Sequence, residues 1–222
     1  MKIRTVLLAA LAAFSFSANA VTILSNDFNG SLNGFSVVDN IAGASWGLSG
    51  GANNETDNWT SGTGDAASAS SDANGVAAYD TELISTVFSL DGLSSASMSY
   101  LVNYQAIGLT PTDGALEVDI STDGGMTWDL LFGYDNDTPV GGLRNTDTPT
   151  TTNIDLAAYL GESSVITRWH YFNNDPGAFD WYAQIDDVLI EGMPASTVAE
   201  PSSLALIGLG LIGVAALRRR RG

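Results

Sequence analysis

The sequence predicts an all-β domain, an antiparallel β-sandwich, between two apolar terminal segments. Short apolar strands recur at roughly 10-residue spacing, with turn residues between them. The alternation of strands and helices that an α/β fold requires is absent from the sequence. The 222 residues include no cysteine, so a fold of this size must be held by its core or by metal rather than by disulfides.

The first twenty residues predict a secretory signal peptide. Lys2 and Arg4 precede an apolar run, and a small-x-small triplet ends at Ala20. This order of basic, apolar and small residues is typical of an export signal that is cleaved after the last small residue. We therefore expect residues 1–20 to be removed and the folded domain to occupy residues 21–194.

The central strands are predicted from alternating apolar residues bounded by turn signals. We expect strands at residues 82–90, 96–104, 115–121, 126–132, 153–161, 164–172 and 181–192. Residues 41–79 are rich in Gly, Ala, Ser, Asn, Asp and Thr and show no helical period. This composition favours long loops or irregular edge strands.

One predicted hairpin contains the string S-x-D-x-G-x-T-W at residues 121–128. The string resembles the Asp box of sialidase propellers. That resemblance implies several repeated blades and three arginines that clamp a substrate carboxylate, but residues 21–201 contain two arginines and no repeat. We predict instead that Asp123 caps its own turn through side-chain-to-backbone hydrogen bonds.

The C-terminal segment predicts a marginal membrane span. Residues 202–217 are apolar and uncharged, and arginines occupy 218–221. A helix of this length spans about 24 Å, short of a hydrocarbon core of about 30 Å. The arginines mark their side as cytoplasmic. Residues 195–222 would therefore comprise a linker, the span and a basic tail.

Ala199, Glu200 and Pro201, followed by the apolar span and the arginines, resemble the PEP-CTERM sorting signal of exopolysaccharide-producing Gram-negative bacteria. The resemblance implies that an exosortase-type membrane protease cleaves at these residues. The chain would be held transiently in the inner membrane and would then reach the cell surface or the extracellular space. Residues 21–201 carry all 25 acidic residues against two arginines, a formal charge of −23. This charge repels nucleic acid and supplies oxygen ligands for calcium.

Asp186 and Asp187 form an acidic pair in an apolar predicted strand. Neighbours on a strand point to opposite faces, so one carboxylate would face the core, which is costly without a cation or donors. Calcium is the predicted partner, although both carboxylates could instead lie in water at a strand edge. The order of segments from residue 80 to the ending W-x-x-x-I-D-D-V resembles MAM-like jelly-roll domains of the choice-of-anchor and cleaved-adhesin group. That resemblance implies a jelly roll in which calcium joins Asp27 and Asn29 to the acidic pair.

The other candidate residues are one histidine and two tryptophans. His170 lies within a predicted strand without a G-x-S-x-G motif, so we predict a structural role rather than a catalytic triad. A single histidine without cysteine also favours calcium over zinc. Trp46 and Trp59 lie in the polar region, where they could stack on sugar rings, although aromatic residues of a sandwich more often belong to its core.

The sequence thus favours a non-enzymatic surface or extracellular-matrix protein, stabilised by calcium and associated with extracellular polysaccharide or surface proteins. Two alternatives remain open. A secreted glycosidase would use a pair of carboxylates, and a purely structural matrix protein would need no specific ligand.

Overall fold

The computed structural model describes residues 19–76, 78–107, 114–135, 150–173 and 179–195. In these residues the chain forms eleven strands, one short helix and one 3₁₀ turn. The strands are β1 Val21–Asn26, β2 Ser36–Ile41, β3 Gly47–Leu48, β4 Ala67–Ser70, β5 Tyr79–Ile84, β6 Leu93–Ile107, β7 Gly114–Ser121, β8 Asp129–Asp135, β9 Thr151–Asp155, β10 Ile166–Asn173 and β11 Phe179–Pro194. The helix α1 spans Ser71–Asn74 and the 3₁₀ turn spans Ala157–Tyr159.

The strands form two antiparallel sheets. The six-stranded sheet has the order β3-β4-β11-β6-β9, and β1 also pairs with β11. The five-stranded sheet has the order β2-β5-β10-β7-β8. Most neighbours are therefore not consecutive in the chain, as in a jelly roll. The predicted all-β jelly-roll sandwich is confirmed.

The core lies between the two sheets and is rich in aromatic residues. Side chains of β10 alternate between buried and half-buried, so Trp169 and Tyr171 face inward. Trp169 stacks on Phe35 at 6.0 Å and meets the edge of Tyr100, from the other sheet, at 5.6 Å. Each large apolar side chain buried in this way contributes about 1.5–3 kcal/mol. The same alternation directs His170 and its cross-strand neighbours to the outer face.

The pairing partners of β11 change along its length, and this change positions the candidate site. It pairs with β6 on one side along most of its length. On its other side it pairs with β4 at residues 182–185 and with β1 at residues 188–192. The neighbour changes at Asp186 and Asp187, where the register with β6 shifts and Asp187 has φ +48°. This β-bulge breaks the alternation that we expected for the acidic pair.

Several predicted strand limits were wrong. The strand expected at 82–90 ends at Ile84, after which only Phe88 forms an isolated bridge, to Val165. The strand expected at 153–161 ends at Asp155 and gives way to the 3₁₀ turn. The returning hairpin strand begins at Asp129, because the residues before it form a long turn.

The two terminal predictions lie almost entirely outside the described residues. β1 begins at Val21, directly after the predicted cleavage position Ala20, but removal of the signal peptide stays a prediction. The expected span at 202–217 and the basic tail are not described. Within the described part of the chain, no helix is long and apolar enough to cross a membrane.

Candidate metal centre at the strand junction

Two loops converge on the bulge of β11. The loop after β1 carries Asp27 and Asn29, and the loop before β4 carries Gly62 and Gly64. Because β1 and β4 flank the bulge on the same edge of β11, the two loops meet where Asp186 lies. The fold therefore gathers residues that are far apart in the sequence. We call this region the junction.

Asp186 is the buried acid of the junction and has no exposed surface. Its Oδ2 accepts a hydrogen bond from Asn58 Nδ2 at 2.7 Å, and its Oδ1 accepts one from the backbone N–H of Asp187 at 2.7 Å. Burial raises the pKa of Asp186 to about 6. The two hydrogen bonds oppose this rise, whereas the negative charges of Asp187 and Asp27 add to it. The surroundings therefore leave the carboxylate short of positive charge.

Two glycines allow side-chain oxygens to approach the backbone of the loop before β4. A Cβ at Gly62 would lie 1.9 Å from Asp186 Oδ2, and a Cβ at Gly64 would lie 1.6 Å from Asn29 Oδ1. Gly64 also has φ +83°, a conformation that other residues rarely adopt. The two positions form a cradle that any larger residue would fill.

Hydrogen bonds also join the loop after β1 to the loop before β4. Asn29 Oδ1 accepts from the backbone N–H of Asp65 at 3.1 Å, and Asp65 Oδ2 accepts from the backbone N–H of Gly30 at 3.0 Å. Asp27 Oδ1 accepts from the backbone N–H of Asn29 at 3.2 Å. Sequence reasoning missed Asp65, although the string Gly-Thr-Gly-Asp that ends at this residue was a usable signal.

Buried amides hold the loop before β4 against the six-stranded sheet. Gln184 Oε1 accepts from the backbone N–H of Trp59 at 2.6 Å, and Gln184 Nε2 donates to Asp57 O at 2.8 Å. Asn103 Nδ2 donates to Trp59 O at 2.7 Å. Gln184 and Asn103 have no exposed surface. The loop that faces Asp186 is thus fixed by side chains of β11 and β6.

The structure brings the predicted ligands into one region, but the carboxylates of Asp27, Asp186 and Asp187 are not closely packed against one another. Asp27, Asn29 and Asp187 are exposed, and Asp186 is buried between their loops. Among the described residues, the groups whose three titratable ligand atoms lie within 4.8 Å of one another are elsewhere, around His170. The junction therefore offers carboxylate and amide oxygens, a donor set that suits calcium.

The two tryptophans predicted to stack on sugars differ from each other. Trp46 is buried, donates from Nε1 to Thr81 O at 3.3 Å and packs edge-on against Tyr171. As a core residue it offers no surface to a sugar ring, so the prediction for Trp46 was wrong. Trp59 is half-buried in the loop that faces Asp186, and its role stays a prediction.

The hairpin that resembles an Asp box is held by its own hydrogen bonds. Asp123 Oδ2 accepts from the Thr127 hydroxyl, and Asp123 Oδ1 accepts from the backbone N–H groups of Met126 and Thr127. Ser121 Oγ donates to Asp123 Oδ1 and accepts from the backbone N–H of Gly125. These hydrogen bonds lower the pKa of Asp123 to about 2, and the bond from the Thr127 hydroxyl contributes most. The prediction of a turn cap is confirmed.

Residues 197–221 match the model of the PEP-CTERM protein-sorting motif. The chain carries a PEP-CTERM sorting signal. The motif implies export, transient membrane anchoring and processing by an exosortase-type system. No curated protein matches the sequence at a significant level.

The folded part of this PEP-CTERM chain is similar to cleaved-adhesin domains. The K1 and K3 cleaved-adhesin domains of Lys-gingipain from Porphyromonas gingivalis align with TM-scores of 0.51 and 0.52 at 16% and 15% identity. Each alignment covers 77% of this chain and 98% of the gingipain domain. A CBM22-1 xylan-binding domain from Paenibacillus barcinonensis aligns at TM-score 0.40 and 10% identity, covering 82% of this chain and all of that domain. The likeness to the gingipain domains concerns the fold alone.

Proposed function

We propose that this PEP-CTERM chain is a non-enzymatic protein of the Gram-negative cell surface or extracellular matrix, whose sandwich is closed by calcium at the junction. In this role it associates with extracellular polysaccharide or with other surface proteins. The observation that carries the calcium proposal is the buried Asp186, set against the backbone of Gly62 where two loops meet.

Calcium suits the junction better than any side-chain cation. The ion takes six to eight oxygen ligands at about 2.3–2.6 Å, and backbone carbonyls and water can complete the shell. Asp27, Asn29 and Asp186 would supply side-chain oxygens, and Asp187 lies beside them on the bulge. Arg168, the sole arginine or lysine in the described ranges, is on the other sheet and is ion-paired there.

Calcium would also stabilise the fold as a cross-link, a role that disulfides cannot have in a chain without cysteine. An ion at the junction would tie the loop after β1 and the loop before β4 to the bulge of β11. Because the unfolded chain holds no preformed site, the free energy of binding adds to the free energy of unfolding. Such a clamp suits a cysteine-free domain that works outside the cell.

The proposed association with polysaccharide or surface proteins is supported by the sorting motif and by the adhesin-like fold. Trp59 remains the candidate aromatic contact, since it lies near the junction and keeps part of its surface exposed. Glycan-array binding by the purified chain, with and without a chelator, distinguishes a specific ligand from a purely structural role. Hydrolysis of a bound polysaccharide would contradict the non-enzymatic proposal.

A calcium titration of thermal unfolding tests the clamp. At a calcium concentration 100-fold above Kd, binding stabilises the fold by about 2.7 kcal/mol. For a domain of this size that corresponds to a rise in Tm of about 5–10 °C. Calorimetry in excess EGTA and then in calcium measures the rise, with magnesium as the control cation. An equal Tm in EGTA and in calcium would contradict the proposal.

A further inference from the structure

The outer face of the five-stranded sheet carries a second cluster of ligand atoms, remote from the junction. On this face His170 of β10 lies between Glu82 of β5 and Glu117 of β7, its direct cross-strand partners. Asp80 and Asp119 belong to the same two neighbouring strands. The imidazole is thus surrounded by carboxylates from both sides of its strand.

One imidazole nitrogen already has a partner. His170 Nε2 lies 2.8 Å from Asp80 Oδ1, and Asn40 Nδ2 donates to the same oxygen at 3.0 Å. Because an ionised carboxylate only accepts hydrogen bonds, it favours the tautomer with the proton on Nε2. In the neutral imidazole the lone pair is then on Nδ1.

Nδ1 of His170 is buried and has no hydrogen-bond partner among the described residues. Glu117 Oε2 lies 3.9 Å from it, which is too long for a hydrogen bond. Burial, and after it the negative charge of Asp119, raises the pKa of Glu117. A lone pair therefore faces two acids, an arrangement that a bound cation would relieve.

Arg168 does not supply that cation to Nδ1. Its Nη1 pairs with Glu82 at 2.7 Å and its Nε pairs with Asp119 Oδ2 at 2.8 Å. Its guanidinium also lies 4.4 Å from the centre of the Trp128 ring. These contacts hold the guanidinium against Glu82 and Asp119, two of the four carboxylates around the imidazole.

We propose that His170 Nδ1, Glu117 and Asp119 bind a zinc ion on the outer face of this sheet. One ligand atom from each of the three residues lies within 4.8 Å of the others. Ligand atoms of a tetrahedral zinc ion lie about 3.4 Å apart, so the 3.9 Å between His170 Nδ1 and Glu117 Oε2 would have to shorten on binding. Imidazole with carboxylates is a donor set that zinc accepts, and Asp80 would orient the imidazole from behind.

This site differs in chemistry from the junction. The junction offers oxygen atoms alone, whereas the outer face adds an imidazole nitrogen, which calcium does not favour. In the sequence, a single histidine and the lack of cysteine argued against zinc. The structure adds that four acidic side chains surround this histidine. Three protein ligands would leave a fourth position for water or for an oxygen atom of a partner.

Nuclear magnetic resonance of the imidazole tests the proposal directly, because His170 is the one histidine of the chain. In the purified full chain, one equivalent of zinc should shift the Nδ1 signal while Nε2 stays protonated. Glu117→Gln should weaken zinc binding about 10-fold or more, and Asp80→Asn should weaken it by about 10- to 100-fold. Glu162→Gln, in an exposed turn, is the matched control and should bind zinc like the unaltered chain.

Three results would overturn the zinc site. The imidazole signals could stay unchanged at millimolar zinc, Nδ1 could already carry a proton at neutral pH without metal, or Glu117→Gln could bind zinc as tightly as the unaltered chain. Thermal unfolding in chelator verifies that each variant is folded. If Glu117→Gln fails to fold, calorimetry of His170→Gln takes its place. This variant should bind one zinc ion fewer than the unaltered chain, and an unchanged zinc stoichiometry would overturn the proposal.

Discussion

Asp123 and Asp186 are the same residue type in opposite surroundings. Asp123 lies in a hairpin turn whose hydroxyl and backbone donors lower its pKa to about 2. Asp186 is buried in a bulge, where loss of solvent raises its pKa to about 6. Two donors serve Asp186, and the nearby charges of Asp27 and Asp187 are negative.

The two aspartates differ in how far away in the sequence their hydrogen-bond donors lie. Every donor to Asp123 lies within four residues of it, so the turn satisfies its own acid. The side-chain donor to Asp186 is Asn58, 128 residues away in the sequence. A locally satisfied carboxylate is a folding device, whereas a buried carboxylate gathered by the tertiary fold and still short of positive charge is a candidate cation site.

The largest effect is expected from filling the cradle with Gly64→Ala. The new Cβ would collide with Asn29 Oδ1, and a residue with a Cβ is strained at φ +83°. The left-handed conformation alone costs about 1–2 kcal/mol, and displacement of Asn29 should bring the total loss to about 3 kcal/mol. Denaturant unfolding in calcium measures this loss.

Gly75→Ala is the matched control for that substitution. Gly75 has φ +63° at the end of α1, but no atom lies within 4 Å of the position that its Cβ would occupy. It should therefore show the conformational cost without the collision. Equal losses in free energy of unfolding for Gly64→Ala and Gly75→Ala would contradict the account of the cradle.

A smaller effect, with a defined pH dependence, is expected from Asp123→Asn. The folded pKa of about 2 lies below the unfolded value of about 3.9. Ionised Asp123 therefore stabilises the fold fully above pH 4, and this contribution is lost as the pH falls through about 2. The stability difference between the unaltered chain and Asp123→Asn should be constant from pH 5 to 8 and should shrink between pH 4 and 2.

Two substitutions at Thr127 control for the hydrogen bonds of the turn. Thr127→Val removes the hydroxyl that contributes most to the low pKa of Asp123, so that pKa should rise toward its ordinary value. Thr127→Ser retains a hydroxyl and should retain the low pKa. Carboxyl carbon chemical shifts measure both values, and an unchanged pKa in Thr127→Val would contradict the assignment.

Much of the fold followed from the sequence, because alternation specifies a strand with one buried face. Strands β6, β7, β10 and β11 were anticipated from their apolar alternation, and the hairpin turn was anticipated from its aspartate and glycines. The strand β4 was missed, since Ala67–Ser70 contains only alanine and serine, which give no strand signal. Its burial comes from pairing with β11 and cannot be inferred locally.

The candidate site was anticipated in part. Asp27 and Asn29 do lie in the loop after β1, near Asp186 at the bulge, but their binding of calcium stays a prediction. Asn58, Asp65 and the glycine cradle were missed, because their roles depend on β4 being the neighbour of β1 along β11. Trp46 was a candidate for sugar stacking because it lies in a polar region of the sequence, whereas its position opposite Tyr171 buries it.

Among the acidic clusters of the described residues, the junction is the proposed site of the stabilising calcium. The most direct measurement is the difference in Tm between calcium and EGTA for the unaltered chain, for Asp186→Asn and for Asp123→Asn. The unaltered chain and Asp123→Asn should both gain about 5–10 °C in calcium, whereas Asp186→Asn should gain nothing. A full calcium response in Asp186→Asn would contradict the claim.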